Sequence, residues 1–148
     1  MNSELEPQFM LVDHEADAYL ATIKIARESL DIFKENLAKI SEGDFACVKF
    51  YIPESQDSEE GANIWLMTPF FEDNFCFAQL FEVPEIFKWI QVGQWLKLSE
   101  SEILDWYILK STGEMFGGYS LRYQRSKLSP VQQVAFDQRV GVTRFVDL

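Results

Sequence analysis

Residues 45–81 read FACVKFYIPESQDSEEGANIWLMTPFFEDNFCFAQLF. The opening, Phe45–Ile52, is rich in aromatic and β-branched residues and stops at Pro53, as a strand does. Glu54–Gly61 is a polar, acidic loop. Ile64–Phe71 is a second strand with Pro69 inside it. A proline cannot donate to a ladder, so this predicts an edge or a bulge. Glu72-Asp73-Asn74 is a turn and Phe75–Phe81 the return strand, which makes a hairpin.

Upstream, apolar residues fall at 16, 19, 23, 26, 30, 33, 37 and 40. Alternating steps of three and four mark one stripe on a helix. Asp13 is the expected N-cap and Gly43 the stop, giving a helix over 13–42 behind a loose leader, 1–12. The stripe suits packing on a sheet, and its regularity also suits a homodimer through this helix. Downstream, Pro84 opens a short helical segment, Glu85–Gln91. Gln94–Ser99 is a strand. Ile103–Lys110 and Glu114–Tyr123 form a second hairpin around Ser111-Thr112-Gly113. Ser129 caps a final helix, with Pro130 at its first position, that ends at Gly141. The order predicts one α+β domain over 1–148. A long N-terminal helix packs on a bent, mostly antiparallel sheet, or a small open barrel, of about five strands. A short C-terminal helix follows, and 45–123 is the β-rich core.

The chain has 148 residues, of which 47% are hydrophobic and 25% charged. That balance is globular and excludes disordered, collagenous and membrane-spanning classes. Its net charge is −11. Phosphate backbones and anionic membranes need clustered cations, so neither is an expected partner. The acidity is concentrated: residues 1–60 carry 14 acids against 5 bases. An acidic face attracts a basic partner by steering its approach. Cys47 and Cys76 lie in apolar runs without a C-x-x-C spacing, which predicts buried, reduced thiols. The first residues lack a basic segment followed by an apolar one, so the expected location is cytoplasmic.

Most catalytic chemistries find no support. His14 is the only histidine and stands among acids at a helix start. No zinc-type Cys/His spacing, calcium-loop pattern or phosphate-binding glycine motif is present, so neither metal nor cofactor is expected. The informative stretch is Asp105-Trp106-Tyr107, then Gly113, then Gly117-Gly118-Tyr119-Ser120-Leu121-Arg122. A turn at Thr112 makes facing residue numbers sum to 224. Trp106 then faces Gly118, Asp105 faces Tyr119, and Glu102 faces Arg122. A tryptophan over a strand glycine covers bare backbone. Two glycines in succession predict a bulge or a close approach. One reading is a bent hairpin whose Asp and Arg satisfy buried polar groups. The other is a groove floored by Gly117 and Gly118, walled by Trp65, Trp106 and Tyr119, with Asp105 nearby and Arg122 as an anion contact.

The Asp-Trp pair and Gly-Gly-Tyr-Ser-x-Arg resemble the C-terminal signature of the YegJ-like family of small bacterial domains of unknown function. The likeness spans Phe45–Tyr123. Trp65 matches a strand tryptophan, Ala78-x-Leu80-x-x-x-Pro84 a Gly-x-Leu-x-Asn-x-Pro segment, and Gly93-Gln94 a Gly-Asp turn. The resemblance implies a bacterial cytoplasmic domain and carries no reaction. Three functions remain open. The first is a non-enzymatic interaction module, an acidic immunity-type protein that binds a basic toxin. The second is a small-ligand or peptide sensor using the aromatic groove. The third is an enzyme with Asp105 as base and Arg122 as electrophilic partner.

Overall fold

A computed structural model of the chain describes residues 5–147, with side chains from Ala16 onward. Helices α1 (Leu5–Glu28) and α2 (Leu30–Leu37) precede strands β1 (Phe45–Pro53), β2 (Gly61–Glu72), β3 (Phe75–Leu80) and β4 (Trp95–Ser99). Strands β5 (Asp105–Leu109) and β6 (Glu114–Gly117), helices α3 (Tyr119–Ser126) and α4 (Pro130–Val140), and strand β7 (Arg144–Phe145) follow. The fold is α+β. The sheet order is β4-β3-β2-β1-β5-β6-β7, with only β7 parallel to its neighbour.

The sheet is open and has seven strands, where a sheet or barrel of about five was predicted. The addition at one edge, β7, has two residues, too few to show a period in sequence. It is held by backbone bonds from Thr143 N to Gly113 O (2.7 Å) and Val146 N to Met115 O (2.8 Å).

The predicted single N-terminal helix is two helices meeting at Ser29. The Ser29 hydroxyl donates to Ile25 O (2.7 Å), and the Trp106 indole N–H donates to Ala26 O (3.2 Å) and Ser29 Oγ (3.1 Å). Polar groups inserted at one turn compete with the helix's own carbonyl ladder and break its regularity. Helix α1 starts at Leu5 rather than after Asp13, so residues 5–12 of the predicted leader are helical. Pro7 is tolerated because the first turn has no partner for its N–H groups. Residues 1–4 and the side chains of Asp13 and His14 lie outside the described residues. Helix α2 ends at Leu37, where i→i+3 bonds from Lys39 and Ile40 tighten the chain.

Residues 85–91 are a turn at Glu85-Ile86 followed by irregular chain rather than a helix. Their flanks are tied to β3 through Gly93 N to Leu80 O and Leu80 N to Gln94 O. Phe87 and Ile90 are drawn into the core, and the Trp89 indole donates to Pro53 O (3.0 Å). These tertiary anchors outweigh the weak helical preference of a short segment.

Alternation on β1 places Ala46, Val48, Phe50 and Ile52 on the inner face. Helices α1 and α2 cover that face with Ala26 and Phe33. Phe33 stacks on Trp106 with centroids 4.7 Å apart. Such a pair adds about 0.5–1.5 kcal/mol beyond its burial. Cys47 and Cys76 are buried and free, and burial pushes each thiol up to about 12. The β2–β3 hairpin follows the predicted pattern. Asp73 and Asn74 take positive φ in the β2–β3 turn, and the bulge falls between Met67 and Phe70, around Pro69.

Candidate functional site

The second hairpin keeps its predicted register: Tyr107 pairs Gly117, Ile108 pairs Phe116 and Leu109 pairs Met115. It does not continue to Tyr123. Gly117 (φ 73°) and Gly118 (φ 68°) turn the chain from β6 into α3. Left-handed backbone of this kind favours glycine. The Trp106 ring does cover a strand glycine, but it is Gly117. A Cβ there would sit 2.6 Å from the ring. The Asp105–Tyr119 and Glu102–Arg122 ladder pairs therefore do not form.

Asp105 performs another task. Fully buried, it faces the start of α3. Its Oδ1 accepts from Trp106 N (2.8 Å) and Tyr119 N (3.1 Å). Its Oδ2 accepts from Ser120 N (2.8 Å) and Ser120 Oγ (2.5 Å). A carboxylate thus caps a helix whose own N-cap is Gly118, which offers no side chain. Burial raises the Asp105 carboxyl above its ordinary range, and the bonds from Ser120 and Trp106 and the Lys49 charge oppose that rise.

Lys49 stands beside this cap. Opposite Asp105 on β1, it is buried and donates from Nζ to Ser120 Oγ (2.8 Å). Its ammonium lies 5.1 Å from the Tyr19 ring centroid and 5.4 Å from that of Trp65. Burial lowers the Lys49 ammonium and Asp105 opposes the shift. Tyr19, Lys49, Trp65, Ser120 and Gln124 line a cleft of about 370 Å³. Sequence reasoning missed Lys49, Ser120 and Tyr19. Lys49 did leave a signal: it is a lone charge inside an otherwise apolar strand.

The predicted site residues divide. Asp105, Gly118 and Tyr119 meet at the α3 cap, and Trp65 reaches Lys49 from the neighbouring strand. Trp106 points to the inner core, and Gly117 lies under it. Arg122 has separate partners. Its guanidinium donates to Gly117 O (2.8 Å) and Val146 O (2.7 Å), and lies near the Tyr119 and Phe145 rings. It fastens the C-terminal segment: its bonds go to Gly117, Val146 and Asp147 rather than to Asp105.

A second region is exposed. On the outer face of β2–β4, Phe70 stacks on Phe77 at 4.9 Å and meets Trp95 at 5.8 Å. Phe70 and Trp95 are each 48% exposed. Phe75 lies next along β3, with Lys97 Nζ 4.2 Å from its centroid. Thr68 has φ 52°, and the β1–β2 ladder ends at Cys47–Met67. The strands separate there, and a groove of about 720 Å³ opens, lined by Ile40, Glu42, Asp44, Phe45, Pro69 and Phe70. Phe70 belongs to both the groove and the aromatic cluster.

Among the described residues, no three His, Cys, Asp or Glu side chains gather as a metal site. No helix among them is long and apolar enough to cross a membrane.

Residues 17–144 match the model of a family described as an uncharacterized protein conserved in bacteria (DUF2314). The chain belongs to this family. The DUF2314 match runs from α1 to the first residue of β7, so it contains both the Asp105 cap and the aromatic cluster. It agrees with the bacterial domain of unknown function implied by the Asp-Trp and Gly-Gly-Tyr residues. No curated protein and no solved structure matches the chain.

Proposed function

We propose that this DUF2314 protein is a non-enzymatic interaction module that docks a basic protein on the outer face of β2–β4. The observation that carries this reading is the exposed Phe70–Phe77–Trp95 cluster. Exposed aromatics that cluster at one place are the residues that dominate binding energy in protein interfaces. Glu72 at the end of β2 and Glu42 in the adjoining groove supply negative charge at the rim. The net charge of −11 would speed encounter with a cationic partner. An immunity-type role, with a basic toxin as partner in the bacterial cytoplasm, is the specific form we favour. A YegJ-like kinship of the Asp105-Trp106 and Gly117–Arg122 residues belongs to the same reading. The bonds of Asp105 favour it over an enzyme: both carboxylate oxygens are engaged by the α3 cap, and Arg122 is engaged elsewhere.

The test is affinity capture from the native cytoplasm with tagged wild type and Trp95→Ala, each at low and high salt. A basic protein held by wild type at low salt, and lost both with added salt and with Trp95→Ala, supports the reading. Equal capture by Trp95→Ala, or empty wild-type eluates at both salts, overturns it.

A further inference from the structure

The cleft beside the α3 cap has a feature that the docking role does not use. Lys49 is only 7% exposed, yet its ammonium makes one hydrogen bond, to Ser120 Oγ. An ammonium carries three donors. Here the Tyr19 and Trp65 rings stand near the charge without offering an oxygen or nitrogen acceptor from their faces. No carboxylate among the described residues forms an ion pair with Lys49. Asp105 acts on it only at a distance, because its oxygens are taken by Trp106, Tyr119 and Ser120. Buried charges are ordinarily paired or hydrogen-bonded to capacity. This one is under-used, and it lines a cleft that is open to solvent.

The surrounding side chains narrow what could complete it. Tyr19 and Trp65 present flat, apolar surface, and Leu121 and Leu128 also line the cleft. Ser120 Oγ is committed: it donates to Asp105 and accepts from Lys49. The site therefore offers the Lys49 donors and aromatic walls, and Lys127 lines the same cleft as a second cation. At about 370 Å³ it has the size of a small-molecule site.

We infer that this cleft binds small planar organic carboxylates. The carboxylate would accept from Lys49 Nζ, and the flat body would lie against Tyr19 and Trp65. No bond is made or broken. The site is separate from the outer aromatic cluster, so its failure and that of the docking reading are distinguishable.

Benzoate is the probe, with benzamide as its uncharged isostere, and the Trp65 indole N–H resonance is the readout. Benzoate should shift that resonance saturably, with half-saturation at about millimolar concentration for so small a ligand. Benzamide should bind at least about tenfold more weakly, and Lys49→Met should abolish the shift. Should Lys49→Met fail to fold, Gln124→Glu serves instead. Gln124 is exposed on α3 and lines the cleft, so a carboxylate there should weaken benzoate by about tenfold while the fold persists. Four results would each overturn the inference: no saturable Trp65 shift, equal binding of benzamide, a shift confined to Trp95, or benzoate binding that is unchanged in the variant used.

Discussion

The α3 cap and the outer face of β2–β4 treat their conspicuous residues in opposite ways. At the cap, Asp105, Trp106 and Ser120 are buried, and the polar atoms of the first two are matched to named partners. On the outer face, Phe70, Phe75 and Trp95 stay exposed; Phe70 stacks on Phe77 and meets Trp95, and Lys97 lies over Phe75. A buried and satisfied group contributes to folding and has little left for a partner. An exposed aromatic contributes modestly to folding and has its binding surface intact. The motif most legible in sequence is therefore mainly a device that turns β6 into α3. The surface suited to docking is built from phenylalanines and a tryptophan that look ordinary along the chain.

The largest effect should separate the two tryptophans. Trp106→Ala removes a fully buried ring that stacks on Phe33 and donates to Ala26 O and Ser29 Oγ. Its expected cost is about 3–5 kcal/mol. Trp95→Ala, at a half-exposed position on an edge strand, should cost less than about 1 kcal/mol. Paired denaturant titrations would measure both. Equal losses would erase the contrast drawn between the regions.

Asp105→Asn should come next. The amide keeps one acceptor oxygen but replaces the other by a donor facing Ser120 N, and it leaves Lys49 without a nearby negative charge. Breaking a buried charge arrangement from one side costs about 3 kcal/mol. Adding Lys49→Met to the variant should restore part of that loss, because the stranded ammonium goes with it. A double-mutant cycle that showed simple additivity would mean that Lys49 and Asp105 do not compensate one another. For the outer face, the matching expectation concerns a partner: Phe70→Ala should weaken docking by about 2 kcal/mol, read by calorimetry with whichever basic protein is captured.

The same contrast explains what could be read from the sequence. Period-two alternation and turn chemistry located both hairpins, and the sum of 224 placed Tyr107 opposite Gly117. Ser129, Pro130 and Gly141 bounded α4 because each acts through its own backbone. What escaped depends on tertiary contacts. The break at Ser29 needs the Trp106 indole, which lies 77 residues away in sequence. Strand β7 needs Gly113 and Met115 as acceptors. The end of β6 had a local signal, Gly117-Gly118, but its conversion into a helix depends on Asp105 supplying the cap. Within the candidate site, Trp65 and Asp105 were legible as types. Lys49 showed only as a lone charge in an apolar strand and Tyr19 only as part of a helical stripe; the contacts of Tyr19 with Lys49 and Asn63 bring them together.

The smallest expected effect lies at the groove, where Asp44 tests whether its wall is fixed by charge. Asp44 accepts from Lys110 Nζ (2.7 Å), Ser41 N (3.0 Å) and Ser111 N (3.0 Å). The Lys110 bond, followed by the two backbone bonds, lowers its carboxyl from 3.8 to about 2. A carboxyl lowered on folding adds stability that is fully present above its unfolded value. That stability is lost as pH falls through the folded value. Wild type should therefore exceed Asp44→Asn in melting temperature at pH 6. The gap should shrink between about pH 4 and pH 2 and close below that. Thermal melts of both proteins across this range would show it. A gap that stayed constant with pH would mean that Asp44 holds the β1 entrance by hydrogen bonding alone, which the amide reproduces in part. The Lys110 charge would then add nothing to the Asp44 carboxylate beyond its hydrogen bond.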